Sequence, residues 1–154
     1  MNEFMKIANE EAKIGMNKGH GGPFGAVIVK DGKIIAKTHN MVIKNKDSTC
    51  HAEIQAIRMA SKKLKRFDLS DCEIYSSCEP CPMCFAAIHW AKIKKLYYSA
   101  TRNDAAKIGF DDKFIYNILS GKTNIDNLEI EIVKSKEIKD MMKEWNNLID
   151  HKNY

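Results

Sequence analysis

The chain has 154 residues, 44% of them hydrophobic, and sets 25 basic against 20 acidic side chains for a formal net charge of +5. That length suits one domain able to bury about two-thirds of the surface its unfolded chain exposes, and the composition excludes a disordered or low-complexity chain. The charge excess is mild and, apart from two short clusters, spread along the chain, so it is weak evidence for a nucleic-acid partner, and no apolar run approaches membrane-spanning length. The start, Met1-Asn2-Glu3-Phe4, lacks a signal-peptide pattern. The cysteines Cys50, Cys72, Cys78, Cys81 and Cys84 are odd in number, which fits thiols in a reducing, cytoplasmic setting better than a disulfide framework.

Taken in order, residues 2–18 place Phe4, Met5, Ile7, Ala8, Ala12 and Ile14 at helical spacing. Gly19-His20-Gly21-Gly22-Pro23 breaks that helix. Gly25–Lys30 and Lys33–Asn40 are β-rich runs joined by Asp31-Gly32, a strong hairpin signal. Asp47-Ser48-Thr49 is a helix-start cluster ahead of a helix from about His51 to Lys65. Glu73–Ser77 reads as a strand, Cys81–Lys92 as a helix and Lys95–Ala100 as a strand. Short helices are expected near Asp104–Ile108 and Asp112–Leu119. Leu128–Val133 alternates apolar and charged residues, which predicts a fifth strand near a sheet edge. Ser135–Ile149 is a terminal helix with Ser135 as its cap and Ile138, Met141, Met142, Trp145 and Leu148 on its apolar face. Lys62-Lys63-Leu64-Lys65-Arg66 and Lys92-Ile93-Lys94-Lys95 fall at helix ends, where cations complement the dipole. A helix, a hairpin and then alternating strands and helices predict an α/β fold with helices on both faces of a central mixed five-stranded sheet, in a single domain spanning 1–154.

The chemistry concentrates in His51-Ala52-Glu53 and, thirty residues on, Pro80-Cys81-Pro82-Met83-Cys84. One imidazole and two thiolates make a three-ligand set, the count that leaves a fourth zinc position for water, where a structural site uses four protein ligands. With Zn²⁺ the set is neutral, and borderline-soft zinc suits nitrogen and sulfur alike. Expected is one Zn²⁺ per subunit with a water or hydroxide as fourth ligand, Glu53 moving the protons. Cys81 and Cys84, at the start of a helix, share one face and lie in the positive end of its dipole. The bland alternative is a redox C-x-x-C pair beside a chance His-Ala-Glu, but both halves on two helix starts match the H-x-E…P-C-x-x-C signature of zinc nucleobase deaminases. Cys78, on the strand side of the turn, is not counted as a ligand.

With these pieces placed, the chain resembles the cytidine deaminase-like superfamily over nearly its full length, and within it the bacterial guanine deaminase branch. The residues that carry the resemblance are Gly21-Gly22-Pro23-Phe24-Gly25-Ala26-Val27-Ile28-Val29, Thr49-Cys50-His51-Ala52-Glu53, Ser77-Cys78-Glu79-Pro80-Cys81-Pro82-Met83-Cys84, Ile88-His89-Trp90-Ala91 and Ile108-Gly109-Phe110-Asp111-Asp112-Lys113-Phe114-Ile115-Tyr116. The zinc pieces mark the superfamily. Gly-Phe-Asp-Asp and the final Tyr154 point to the guanine branch, where tRNA-adenosine deaminases carry a Gly/Ser-containing segment. The resemblance implies a three-layer α/β/α fold, His51, Cys81 and Cys84 as zinc ligands, and Glu53 as proton shuttle. It implies Asp112 as the carboxylate facing the amidine edge of guanine, with Phe24, Asn40, Ala52, Trp90 and Tyr154 as further substrate contacts. It also implies hydrolysis of guanine to xanthine and ammonia in purine metabolism. The partners implied are a small purine and a second copy, with no membrane and no nucleic acid. The helix and tail from about 135 to 154 would cross to that copy. The rivals are a deaminase acting on tRNA adenosine, cytosine or a guanine nucleoside, and a non-catalytic zinc or RNA-binding module.

Overall fold

A computed structural model describes residues 2–154, which divide into two compact units, one running to Tyr116 and the other Asn117–Tyr154. The first unit holds the sheet. Helix α1, Glu3–Asn17, begins where the Asn2 side chain accepts from the amides of Phe4 and Met5. Strands β1, Gly25–Lys30, and β2, Lys33–His39, form the expected hairpin. Its turn residues Asp31 and Gly32 both take positive φ, 49° and 70°, as the two central residues of a type I′ turn do.

Next come α2, Val42–Asn45, α3, Ala52–Leu64, β3, Glu73–Cys78, α4, Pro82–Trp90, and β4, Lys95–Ala100. The unit ends in α5, Arg102–Lys107, and most of α6, Lys113–Leu119. The strand order is β2-β1-β3-β4, antiparallel except for the parallel β3–β4 pair. That parallel pair requires the α4 crossover between its strands. Helix α1 packs Met5 and Ala8 on Val27, Val29 and Tyr75 of one sheet face. On the other face Ala56, Ala60 and Ile88 of α3 and α4 meet Ala26, Ile28 and Ile74. These are three α/β/α layers, as expected.

The sheet has four strands rather than five. Leu128–Val133 forms no ladder, and Ile130 and Ile132 stay exposed. Alternation in sequence specifies a strand's two faces, but a strand exists only where a neighbour supplies backbone partners. Among the described residues that segment has none. The four-residue α2, not anticipated, occupies the link between β2 and α3. Helix α5 starts at Arg102, earlier than expected, because Thr101 and Asp104 close a reciprocal capping box. In the second unit, α7, Lys136–Asn147, is capped by Ser135, whose hydroxyl accepts from the Ile138 amide.

Candidate active site and metal centre

His51 is the N-cap residue of α3 and Cys81 that of α4. Neither side chain is used for capping, so the two helix starts aim an imidazole and a thiol at one point. Pro82 at the first helical position fixes φ where no amide donor is needed. Cys84, one turn along α4, brings the second thiol to the same point. The Nδ1 of His51 lies 3.4 Å from the Cys81 sulfur and 3.5 Å from that of Cys84. All three donor atoms fall within 4.8 Å of one another, and among the described residues they are the group that could hold a metal. Bonds of about 2.0 Å to nitrogen and 2.3 Å to sulfur at a tetrahedral angle require an N–S separation of about 3.5 Å, so the donors fit zinc. Cys78 is not in that group, and its buried thiol turns to the Thr101 carbonyl at 3.5 Å.

The electrostatics suit the binding of a cation. The Cys84 thiol donating toward Cys81 brings the Cys81 thiol down to about 4, with His51 contributing against burial. Cys84 is pushed up by that same shared proton, by burial and by Glu53. His51 is raised, chiefly by its hydrogen bond with Cys81. Metal ligation takes both sulfurs as thiolates, so binding here would release protons.

Glu53, in the first turn of α3, is buried. Burial raises its carboxyl from the ordinary value, while the Ser76 hydroxyl, donating to Oε1 at 3.0 Å, acts in the other direction. Ser76 was not anticipated as a site residue. The available signal was a pair of serines, Ser76-Ser77, in the middle of a strand buried on both faces, where a hydroxyl needs a partner. Ser77 uses its own hydroxyl to accept from the Gly25 amide.

A cavity of about 620 Å³ opens beside these groups. Of the expected contacts, Phe24, Asn40 and Asp112 line it together with His51, Glu53 and Cys81. Ala52 is fully buried behind the wall, its carbonyl accepting from Thr38 at 2.7 Å. Trp90, at the end of α4, is 66% exposed and does not line the cavity. Tyr154 belongs to the second unit and is 70% exposed.

At the start of α6, Asp111 rather than Asp112 accepts the Lys113 amide. That leaves the Asp112 carboxylate to the cavity, where burial and the nearby Cys81 raise it and Arg102 opposes them. Asn40 commits Oδ1 to the Val42 amide at 3.1 Å, so its Nδ2 hydrogens are what it can offer a ligand. Phe110 meets Phe24 edge to face with centroids 5.0 Å apart, which makes an aromatic wall. Arg102 and Phe110 also line the cavity; Phe110 belongs to the branch-marking Gly-Phe-Asp-Asp segment, but the sequence assigns neither residue a contact role. The arrangement can hold a metal, move a proton at a buried carboxyl and grip a flat, hydrogen-bonding ring.

Residues 1–100 match the family described as the cytidine and deoxycytidylate deaminase zinc-binding region. The chain is 46% identical to the guanine deaminase of Bacillus subtilis (strain 168) over 151 residues, 98% of this chain and 97% of that protein. The X-ray structure of guanine deaminase from Bacillus subtilis superposes with a TM-score of 0.92 at 46% identity, covering 100% of this chain and 99% of that one. The chain is also 37% identical to the tRNA-specific adenosine deaminase of Aquifex aeolicus (strain VF5), over 92% of this chain and 91% of that protein.

Proposed function

The chain belongs to the zinc-binding cytidine and deoxycytidylate deaminase family, and from that premise we propose that it is a guanine deaminase, a zinc-dependent hydrolase converting guanine and water to xanthine and ammonia. The observation that carries the reading is the Asp112 carboxylate in the same cavity as the His51–Cys81–Cys84 set and Glu53. Guanine presents two adjacent N–H donors along its amidine edge, at N1 and the 2-amino group. A carboxylate accepts from both, whereas adenine and cytosine offer no such pair.

His51, Cys81 and Cys84 would hold one zinc per subunit. When bound, the ion would act as a Lewis acid that lowers the pKa of the attacking water toward neutrality. Asp112 orients the base, Phe24 packs against the ring, and Asn40 donates to a purine acceptor. Glu53 takes a proton from the attacking water and delivers it to the ring nitrogen beside C2. Glu53 then takes the remaining proton of the hydroxyl added at C2 and passes it to the amine, so that the C2–amine bond breaks, C2–O becomes a carbonyl and ammonia leaves. Its burial suits this double duty, since a carboxyl with a raised pKa can both accept and return a proton near neutral pH.

The protein is proposed to act as a homodimer in the cytoplasm, in purine breakdown or salvage. No helix among the described residues is long and apolar enough to cross a membrane, and the five cysteines are free. The second unit exposes Ile132 at 89% and Ile149 at 98%, an apolar surface that a second copy would cover. In this reading the tail crosses to that copy, and Tyr154 from one copy, with Trp90, closes the base pocket of the other.

The test is ammonia release by the zinc-loaded protein from guanine, guanosine, adenine, cytosine, cytidine and a tRNA with adenosine at the wobble position. Turnover of guanine is expected. Activity on the tRNA alone, with steep salt dependence, would keep the zinc chemistry and overturn the substrate. Replacing Glu53 with Gln should retain zinc and lower kcat by about 10²- to 10⁴-fold; wild-type turnover in that variant would refute the proton-shuttle role.

A further inference from the structure

Away from the metal, three titratable residues form a hydrogen-bonded chain that the mechanism does not use. Glu11 of α1 is buried, and its Oε2 lies 2.9 Å from Nδ1 of His39 at the end of β2. The Nε2 of His39 lies 2.9 Å from Nδ1 of His20, in the loop after α1. The Glu11 carboxylate can only accept, so His39 donates to it from Nδ1. Its Nε2 and the Nδ1 of His20 then share one proton, one ring donating and the other accepting. Burial, then the charges of Lys44, His39 and Lys18, lower the His20 imidazole from its ordinary value, which favours a neutral ring there. Lys37, 3.9 Å from Glu11, is the cation facing the other end.

The position of this chain gives it a role. The His20 amide donates to the Gly15 carbonyl of α1, and its own carbonyl accepts from Ile43 and Lys44 at α2. His20 therefore ties together the end of α1, the end of β2 and the start of α2. One residue further on, Gly21 sits so close to the Asn40 side chain that any Cβ there would collide with its Oδ1. Asn40 directly follows His39, and its amide donates to the Phe24 carbonyl at 2.9 Å. Gly15 likewise leaves no room for a side chain beneath the His39 ring. Two glycines thus allow the close approach, and the three-residue chain holds it. Gly21, Phe24 and Asn40 are lining residues of the base cavity.

We propose that Glu11, His39 and His20 are positioning residues for base recognition, a brace that keeps the Gly19–Phe24 loop and the Asn40 amide in register with the substrate. The proposal rests on the reading of that cavity as the base site. None of the three touches the reacting atoms, so opening the brace loosens substrate binding and spares proton transfer at Glu53.

The experiment compares zinc-loaded wild type with His20→Ala and His20→Asn, whose Nδ2 overlies the imidazole Nδ1 and can donate in its place. His20→Ala should raise KM for guanine about three- to tenfold, the effect of one lost hydrogen bond, with kcat and zinc content unchanged. His20→Asn should restore most of the difference. Unchanged KM in His20→Ala, or loss of kcat and zinc together without rescue by Asn, would overturn the role. If another base of the panel is turned over in place of guanine, the substrate reading has failed, and the KM ratio on that base still judges the brace. Imidazole ¹⁵N NMR of the wild type is independent of turnover: a single proton shared between His20 Nδ1 and His39 Nε2 upholds the chain, and a proton on both of those nitrogens or on neither refutes it.

Discussion

At the scale of single residues, the proposed roles separate reaction from recognition. Glu53 is buried beneath Ser76 and beside the ligand set, whereas Asp112 stands on the opposite segment with its carboxylate in the cavity. Replacing Asp112 with Asn keeps the size but exchanges one acceptor for a donor, which would face the N–H donors of guanine. A site built around a hydrogen-bonding pair penalises such a mismatch steeply. Asp112→Asn should therefore lower kcat/KM for guanine by about 10²-fold or more, with zinc content intact by metal analysis. A loss of less than about threefold would show that the carboxylate does not read the base. Ser76 fits the same division. Its hydroxyl holds Glu53 from the sheet side, so its contribution belongs to kcat rather than to substrate affinity.

At the scale of elements, the site depends on how α1 and the two ligand helices seat on the sheet. Gly25 opens β1 directly beneath α1, and a Cβ there would run into the Ala8 carbonyl and the Ala12 amide. Those are backbone atoms and cannot rotate away, so the helix must lift and loosen Met5 and Ala8 from Val27, Val29 and Tyr75. Gly25→Ala should cost about 1–3 kcal/mol, as overpacking does, read as a lower urea midpoint at unchanged slope. An unchanged midpoint would mean that the close approach of α1 is not required. Seats of this kind were only partly legible in the sequence. The ligand helices were legible because their signals are local: Pro82 after Cys81, and Asp47-Ser48-Thr49 ahead of His51. The hairpin was legible for the same reason, in Asp31-Gly32. Pairings between distant residues were not. His20 and His39 are 19 apart and Glu53 and Ser76 are 23 apart, and no periodicity announces either contact. The fifth strand failed on the same ground, since Leu128–Val133 has the alternation of a strand without a partner to make it one.

At the scale of the whole molecule, the second unit exposes the aliphatic side chains Ile125, Leu128, Ile130, Ile132, Val133 and Ile149. The proposed exchange of tails would make each active site a joint product, with Glu53 and the zinc ligands from one copy and Tyr154 from the other. Complementation tests this directly. One variant carries Glu53→Gln with an intact tail, and the other keeps Glu53 but ends at Asn153. Homodimers of the first lack Glu53, the proposed proton shuttle, at both sites, and homodimers of the second lack Tyr154 at both. In a heterodimer one site suffers both defects, while the other joins an intact Glu53 to an intact Tyr154. Coexpression at equal levels gives heterodimers in about half of the dimers and one fully competent site in each, hence about a quarter of wild-type turnover. Self-contained sites would give no more than the average of the two inactive parents. Turnover at that average, from a mixture shown by mass to contain heterodimers, would remove the crossed tail from the mechanism; recovery above it requires that Tyr154 act in the partner's pocket.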